Sequence, residues 1–339
     1  MKVPASIFTA TLALSCSVLA IPRSWSSSLQ KRADPSKVGY LGVYWTTEDE
    51  SVYLALSDNN DPTAFEPING GSPIVSPTLG TKAVRDASII EGVGSTAGKY
   101  YIIATDLDID SINWSQAVRT GSRGIFVWES TDLVTWSNER LVTVEDETAG
   151  MVWAPDAVWD PSQGQYLVHW ASQFYSEDDP EHTGDPTTTT ILRYAYTSDF
   201  QTFSEPKTYI DLETATTIDL SFLPVDENTF VRFYVNGNIT GPVVEVSFNG
   251  LFGDWAAPSG SVEDSASFEG PYPFWDNAQD SKAYLLCDRV GSEPGLAAWE
   301  STDPTSGEFS PVTSTNIRFM RHGSVLSVTQ EQYDALAAL

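Results

Sequence analysis

Residues 85–90 read Arg-Asp-Ala-Ser-Ile-Ile, and phrases of the same kind recur four more times along the 339-residue chain. Each phrase places one ionisable residue directly before a short apolar or β-prone run. Successive phrases lie 50 to 70 residues apart, which indicates a repeat architecture. The five phrases are Arg85-Asp86-Ala87-Ser88-Ile89-Ile90, Pro155-Asp156-Ala157-Val158-Trp159, Ile218-Asp219-Leu220-Ser221-Phe222, Phe268-Glu269-Gly270-Pro271-Tyr272 and Arg321-His322-Gly323-Ser324-Val325.

The sequence after each phrase predicts further strands. Runs of four to eight Val, Ile, Tyr, Phe and Trp residues alternate with Gly, Pro, Asp, Asn and Ser, and helical periodicity is nearly absent. A second and a third strand follow in each repeat, for example residues 99–103 and 124–128. The third strand runs into a Ser/Asp turn that ends on an aromatic residue, as in 129–136. The chain is therefore predicted to be all-β.

The number of strands favours a five-bladed β-propeller. Residues 86 to about 315 hold four complete four-strand units, whereas His322 is followed by one strand only. The missing strands are predicted at the other end of the chain, in 40–45 and 52–56. The N-terminal strands would then join the last strand and close the ring, which protects the sheet edges. A β-sandwich could use the same strands but gives no reason for the split unit.

The N-terminus predicts export. Residues 1–20 combine Lys2, an apolar run too short to span a bilayer and a small-residue cleavage site, as in a signal peptide. Residues 21–32 could form a propeptide that ends at Lys31-Arg32; two solvated cations in a floppy terminus would look the same. The propeller domain is then 33–339. We expect a secreted protein with no membrane segment.

The amino-acid composition disfavours some classes of binding partner. The net charge of −28 and a pI near 4.1 disfavour nucleic acids and polyanionic substrates. Cys16 lies in the predicted signal peptide, so Cys287 is left without an intramolecular partner. Asn113-Trp114-Ser115 and Asn238-Ile239-Thr240 are glycosylation sequons. We expect a monomer.

In a propeller, the first strand of each blade lines the central axis. The ionisable residues Asp86, Asp156, Asp219, Glu269 and His322 would then form one ring. For a single Asp before a strand, a turn or cap role is the more common reading. Several carboxylates gathered at one axis raise each other's pKa, which is typical of a catalytic site.

These phrases resemble those of glycoside hydrolase family 43, a family of five-bladed propeller enzymes that act on arabinan, arabinoxylan and related polymers. The resemblance rests on Arg85 to Ile89, Trp153-Ala154-Pro155-Asp156, Thr217-Ile218-Asp219, Phe268 to Pro271 and Arg321 to Val325. The family usually has Pro after the base, and this chain has Ala87.

The resemblance implies a role for each of these residues. Asp86 is then the general base, Glu269 the general acid, and Asp219 the residue that orients the acid and raises its pKa. Asp156 is expected to bind substrate or support the pocket. His322 resembles an axial histidine that holds a water or a metal ion. No cofactor is expected to be required, and a structural calcium or other metal ion at His322 is left open.

The family resemblance also implies hydrolysis with inversion. An inverting enzyme holds its two carboxyl groups roughly 6.5–9.5 Å apart, against about 5–5.5 Å for a retaining one. Asp86 and Glu269 belong to the first and fourth repeats, which are not neighbours in a ring of five. This favours the wider separation.

Aromatic side chains near the phrases are candidates for sugar stacking, although packing between blades is the more common role for each. The predicted substrate-binding set is Asp156, Trp153, His169, Trp170, His322 and Trp275. The polar segment 175–190 is predicted to be a long loop that walls the substrate cleft or is a solvated insertion.

The predicted substrate is a plant cell-wall polysaccharide or oligosaccharide with α-L-arabinofuranosyl linkages. Two other enzymes remain open, a β-xylosidase and a β-fructosidase-type propeller hydrolase. The latter typically has Cys after its acid, where this chain has Gly270. A non-catalytic sugar-binding propeller is the remaining alternative, but it would not need three carboxylates.

Overall fold

The computed structural model describes residues 33–291 and 293–339. The predicted signal peptide, 1–20, and the predicted propeptide, 21–32, lie outside the described residues. Within them, no helix has the length and apolar character needed to cross a membrane.

The described chain forms five four-stranded antiparallel sheets, and the predicted all-β class is confirmed. To keep chain order, strands are numbered from the N-terminus. The N-terminal strands β1 (Lys37–Trp45), β2 (Tyr53–Ser57) and β3 (Phe65–Pro67) belong to blade 5. Blade 1 is made of the next four strands, β4 (Val84–Glu91), β5 (Tyr100–Asp106), β6 (Gly124–Ser130) and β7 (Ser137–Thr143).

The remaining strands complete blades 2 to 5. Blade 2 contains β8 (Trp153–Asp160), β9 (Gln165–Ser172), β10 (Ile191–Thr197) and β11 (Lys207–Ile210). Blade 3 contains β12 (Thr217–Pro224), β13 (Phe230–Asn236), β14 (Pro242–Ser247) and β15 (Trp255–Ala256). Blade 4 contains β16 (Phe268–Trp275), β17 (Ala283–Arg289), β18 (Gly295–Ser301) and β19 (Ser310–Val312), and blade 5 begins with β20 (Arg321–Thr329).

Blade 5 combines the two ends of the described chain. Its strand order is β20-β1-β2-β3, and Gly42 of β1 pairs with Val325 of β20. The innermost strands β4, β8, β12, β16 and β20 contact one another in sequence, and β20 contacts β4 again. The predicted split fifth unit is therefore confirmed, and with it the five-bladed propeller.

The hydrophobic core lies between neighbouring blades. Phe126 and Trp128 of blade 1 pack in a cluster with Leu41 and Leu54 of blade 5. Burial of such large aromatic and branched side chains provides the main stabilisation of the described residues, in which Cys287 is a free cysteine.

The predicted Ser/Asp turns also form. In blade 1 the amide of Leu133 donates to Ser130 Oγ at 2.9 Å, and the amide of Thr135 donates to Asp132 Oδ1 at 2.7 Å. In blade 2 the amide of Phe200 donates to Thr197 Oγ1 at 3.0 Å. These side-chain acceptors satisfy amides that the turn leaves outside the sheet.

Helices are few and short in the described part. α1 (Trp114–Thr120) lies between β5 and β6, and α2 (Gln330–Ala337) follows β20. Three single-turn 3₁₀ helices cover Asn69–Gly71, Gly94–Thr96 and Pro304–Ser306. Both sequon asparagines are exposed, Asn113 before α1 and Asn238 between β13 and β14.

Candidate active site

A β-bulge occurs near the start of the innermost strand of every blade. At this point two residues face one residue of the neighbouring strand. The five pairs are Asp86-Ala87, Ala154-Pro155, Asp219-Leu220, Gly270-Pro271 and His322-Gly323. In blades 1 to 4 the first bulge residue has a left-handed backbone, with φ of 52°, 48°, 58° and 59°. Each bulge therefore re-aims one residue at the same level of the axis.

The bulges correct the predicted ring of five ionisable residues. Asp86, Asp219 and His322 occupy the first bulge position, but Asp156 lies two residues after it and Glu269 one residue before it. The equivalent residues in those blades are Ala154 and Gly270. A bulge inserts a residue without a sequence signature of its own, so the spacing of the phrases could not reveal this offset. The five residues form three layers instead of one ring.

Asp86 is held in the ionised form by its partners. Its carboxylate accepts the Thr105 hydroxyl at 3.0 Å and pairs with His322 Nδ1 at 3.0 Å. Burial opposes its charge, but the charge and hydrogen bond of His322, together with Arg85 and Thr105, outweigh burial and hold the pKa of Asp86 below its usual value. This carboxylate is suited to accept a proton.

Asp219 and Glu269 lie in adjacent blades and are held towards the neutral form. The Gly270 amide, next to Glu269, donates to Asp219 Oδ2 at 3.0 Å. Burial and then repulsion from Asp219 raise the pKa of Glu269 to about 7. Burial and repulsion from Asp86 raise the pKa of Asp219, against the attraction of His322. The two carboxyls titrate as a pair that retains a proton near neutral pH.

His322 is the positive charge at this level of the axis. Burial lowers its pKa, but Asp86 and Asp219 reverse the effect and raise the pKa to about 10. One ring nitrogen of His322, Nδ1, is already bonded to Asp86. The described residues bring together no group of three His, Cys, Asp or Glu side chains that could hold a metal ion. A metal ion at His322 stays a prediction.

Asp156 connects two blades below this level. Its Oδ2 accepts the Ser221 hydroxyl at 2.9 Å, and its Oδ1 accepts the Ser88 hydroxyl. Ser88 and Ser221 stand two residues after Asp86 and Asp219. The cavity around them measures about 10 Å³, too small for a sugar ring. Asp156 therefore supports Asp86 and Asp219 through the two serines. Substrate binding by Asp156 stays a prediction.

Two arginines at the rim were not predicted. Arg85 and Arg321 directly precede Asp86 and His322, and their guanidinium carbons lie 4.0 Å and 4.9 Å from the ring centroid of Trp45. Arg85 pairs with Glu50 at 2.9 Å, and Arg321 pairs with Asp288 at 2.7 Å. Both arginines stand in the phrases that define the repeat, at the position that Glu269 occupies in blade 4. That shared position was the available signal.

Comparison with known families decides the assignment. A family model described as "Probable glycosyl hydrolase domain", of the type related to glycoside hydrolase family 43, matches residues 34–334. The chain belongs to this family-43-related family. Residues 34–334 span all five blades, so the match includes Asp86, Asp219 and Glu269.

One curated relative of this glycosyl hydrolase domain is an α-L-arabinofuranosidase from Bifidobacterium longum subsp. longum. It is 32% identical over 187 residues, which cover 51% of this chain and 17% of the relative. The chain thus spans less than a fifth of the length of that relative.

The chain is also similar to two solved enzyme structures, one from Coprinopsis cinerea and one from Bacillus subtilis. The catalytic domain of a Coprinopsis cinerea GH62 α-L-arabinofuranosidase has 14% identity and a TM-score of 0.49, covering 74% of this chain and 75% of that one. The native Bacillus subtilis arabinanase Arb43A has 15% identity and a TM-score of 0.44, covering 71% of this chain and 79% of that one.

Of the predicted aromatic contacts in this glycosyl hydrolase domain, Trp153 lies at the rim. It precedes the bulge of blade 2, in the position that Glu269 has in blade 4, and is partly exposed. Its ring packs edge-to-face on Trp114 at 5.9 Å. The structure places Trp153 at the mouth of the carboxylate site.

His169, Trp170 and Trp275 are not placed at the mouth, which corrects their predicted position. His169 is fully buried against Phe222, and burial lowers its pKa to about 3. Trp170 is also fully buried and donates to Glu145 at 3.0 Å. Both stand on a second strand, whose side chains face neighbouring blades.

Trp275 lies at the far end of β16, six residues beyond Glu269. At about 3.3 Å per residue this separates the two by roughly 20 Å along the strand. Its indole N–H donates to the Pro224 carbonyl at 3.0 Å. Trp275 therefore packs at the end of the blade opposite to the carboxylates.

Proposed function

We propose that this protein is a secreted inverting glycoside hydrolase that cleaves α-L-arabinofuranosyl linkages in plant cell-wall arabinan or arabinoxylan. One observation carries the proposal: two carboxyl groups near one axis have opposite pKa shifts, with the pKa of Asp86 lowered and that of Glu269 raised. Glycosidic hydrolysis needs one ionised and one protonated carboxyl group.

Each carboxyl then has a distinct task. Glu269, whose pKa of about 7 keeps it protonated in acidic solution, donates that proton to the oxygen of the leaving group. Asp86, ionised beside His322, accepts a proton from the water that attacks the sugar. Asp219 contributes by repelling the charge of Glu269 and thereby raising its pKa.

The blade order supports inversion. β4, which carries Asp86, contacts β8 and β20, whereas β16, which carries Glu269, contacts β12 and β20. The two carboxyls therefore stand on blades that are not neighbours, with blade 5 between them on one side. This leaves room for a water between base and sugar.

Three observations support a neutral, arabinose-containing glycan. The relative from Bifidobacterium longum bears the name of an α-L-arabinofuranosidase. The net charge of −28 disfavours a polyanionic substrate. The rim arginines are already paired with acidic residues, so they leave no surplus positive charge. A monomer in the extracellular space, acting without a cofactor, completes the proposal.

The test is a substrate panel with product analysis. Aryl α-L-arabinofuranoside, aryl β-xyloside and aryl β-fructoside are compared with debranched arabinan and arabinoxylan. We expect release of arabinose, with the anomeric configuration inverted in the first proton NMR spectra. Preferred cleavage of the xyloside or the fructoside would favour the corresponding alternative enzyme. Binding without hydrolysis would favour a sugar-binding propeller, and a retained configuration would contradict the roles of Asp86 and Glu269.

A further inference from the structure

We propose that Trp114 forms a second sugar-binding position at the mouth of the site, where its indole ring stacks on a neutral sugar ring next to the one that is cleaved. The inference rests on the proposed function, because it takes the glycan to bind at the carboxylate end of the propeller. It assigns a ligand contact to a residue outside the repeated phrases.

Trp114 stands at the correct end of the molecule. It begins α1, in the segment between β5 and β6, and these strands reach the end of blade 1 at which Thr105 contacts Asp86. Its ring packs edge-to-face on Trp153 at 5.9 Å and lies 5.3 Å from the Arg85 guanidinium carbon. Trp114 is thus linked directly to two residues at the rim.

These contacts extend into a ladder of alternating aromatic and cationic groups. Arg85 lies between Trp114 and Trp45, and Arg321 lies on Trp45 in turn. Cation–π contacts of this kind fix the orientation of the rings. The ladder runs along blades 1 and 5 beside Asp86 and His322, and Trp114 is its solvent-exposed end.

The indole ring of Trp114 is exposed and available to a ligand. Its side chain is 54% exposed, and it is the one tryptophan among the exposed large apolar residues of the described chain. An indole ring offers a large flat apolar face at a low cost in conformational entropy, which suits the C–H face of a sugar. The other strongly exposed aromatic side chains, Phe248 and Phe252, follow β14 at the opposite end of blade 3.

The helix that carries Trp114 is held in place. Asn113 and Gln116 form a reciprocal capping box at its start. Near its end, Arg119 donates to the carbonyls of His182 and Gly184 at 2.9 Å and 2.7 Å. His182 stacks on Tyr175 at 4.3 Å.

The predicted loop at 175–190 therefore braces α1. It connects β9 to β10, at the same end of the propeller as α1, and reaches the helix through Arg119. A fixed platform binds a sugar ring at a lower entropic cost than a mobile one.

The charge balance points to a neutral sugar. Arg85 is paired with Glu50, and Arg321 is paired with Asp288. Each cation of the ladder is thus compensated, and an acidic sugar would meet no free positive charge there. We infer that the occupant is an uncharged pentose or hexose ring of the same glycan chain.

The experiment measures binding to an enzyme that cannot turn over. Glu269→Gln serves as the parent, and Trp114→Ala, Trp114→Phe and Phe248→Ala are each added to it. Titration calorimetry with neutral linear arabino- and xylo-oligosaccharides gives Kd. We expect Trp114→Ala to raise Kd about ten-fold, since one stacked ring contributes roughly that factor. Trp114→Phe should retain most of the affinity, and Phe248→Ala should match the parent.

Three results would overturn the inference: an unchanged Kd in the Trp114→Ala protein, an equal loss in the Phe248→Ala protein, or no binding by the parent. The proposed function fails separately, if wild-type protein binds these oligosaccharides at Trp114 but hydrolyses no member of the substrate panel. If hydrolysis is found and Trp114→Ala leaves binding unchanged, only the second sugar position is lost.

Discussion

The cluster of Asp86, Asp219 and Glu269 has two halves that differ in charge. In one half, Asp86 contacts the Thr105 hydroxyl and the His322 imidazole, each at 3.0 Å. In the other half, Asp219 and Glu269 lie on adjacent blades, and Asp219 accepts a hydrogen bond from the Gly270 amide. The pKa falls in the first half and rises in the second.

The difference shows that burial alone does not decide the charge of a carboxyl group. Burial raises the pKa of Asp86 and of Glu269 alike, but only Asp86 has a cationic partner that outweighs it. The bulge of blade 3 places Asp219 beside Glu269, and the equivalent bulge of blade 5 places His322 beside Asp86. One repeated backbone device thus gives opposite protonation states.

Removing either functional carboxyl has the largest expected effect. Asp86→Asn and Glu269→Gln should each lower kcat about 10³-fold or more, because general acid or base catalysis typically contributes 10²–10⁴-fold. Steady-state rates on the arabinofuranoside substrate measure this, with thermal unfolding as the control for the fold. Wild-type rates in either variant would remove that residue from the mechanism.

Breaking the contrast at its cation should have the next largest effect. His322→Gln removes the positive charge that stabilises ionised Asp86. The pKa of Asp86 then rises, and the acidic limb of the pH profile of kcat/KM moves to higher pH. Below this limb we expect the rate to fall about ten-fold for each unit by which the pKa of Asp86 rises, because one pKa unit changes the ionised fraction about ten-fold. An unshifted acidic limb would show that His322 does not control Asp86.

Gly270→Ala should disturb the contact between the halves. A Cβ at this left-handed position would lie 2.6 Å from His322 Cγ. We expect a loss of about 2 kcal/mol in the free energy of unfolding, from overpacking and left-handed strain. Chemical denaturation measures the loss. Stability equal to wild type would mean that His322 can shift freely.

The raised pKa of Glu269 also predicts a pH-dependent gain in stability for Glu269→Gln. As the pH rises from 4.5 to about 7, the unfolded chain ionises Glu269 before the folded protein does, so the wild type loses stability. Gln has no proton to lose. The variant should therefore gain about 1–2 kcal/mol over the wild type across this range, at about 1.4 kcal/mol per pKa unit with allowance for partial exposure. A gap that stays constant with pH would contradict a raised pKa.

The smallest expected effect is at the equivalent bulge of blade 2. Ala154 has a φ of 48°, and glycine adopts this conformation without steric cost. Ala154→Gly should therefore change the free energy of unfolding by about 0.5 kcal/mol or less and leave the pH profile unchanged. Compared with Gly270→Ala, this substitution tests whether the bulge position or the contact with His322 matters.

The sequence predicts the fold because each blade repeats its local signals. The strand runs, the Ser/Asp turns and the unit divided between 40–56 and 321–329 all follow from side-chain patterns. The register of the axial residues does not follow, because the bulge adds a residue that no side-chain pattern marks. Asp156 and Glu269 were therefore assigned to the wrong layer, although both stand near the axis.

Side chains on second strands and strand ends were also beyond prediction. His169 and Trp275 are of residue types that often line sugar-binding pockets, but strand direction and blade packing place them elsewhere. Arg85 and Trp114 became visible as rim residues only through contacts between blades and loops.

The most direct test of the account is a carboxyl titration by ¹³C NMR on protein labelled at Asp and Glu side chains. Spectra of Asp86→Asn and Glu269→Gln assign the two resonances. The account predicts that the pKa of Asp86 lies below the usual range of an aspartate and that Glu269 titrates near 7. Two ordinary carboxyl titrations, or the reverse order, would contradict the division of the site into an ionised and a protonated half.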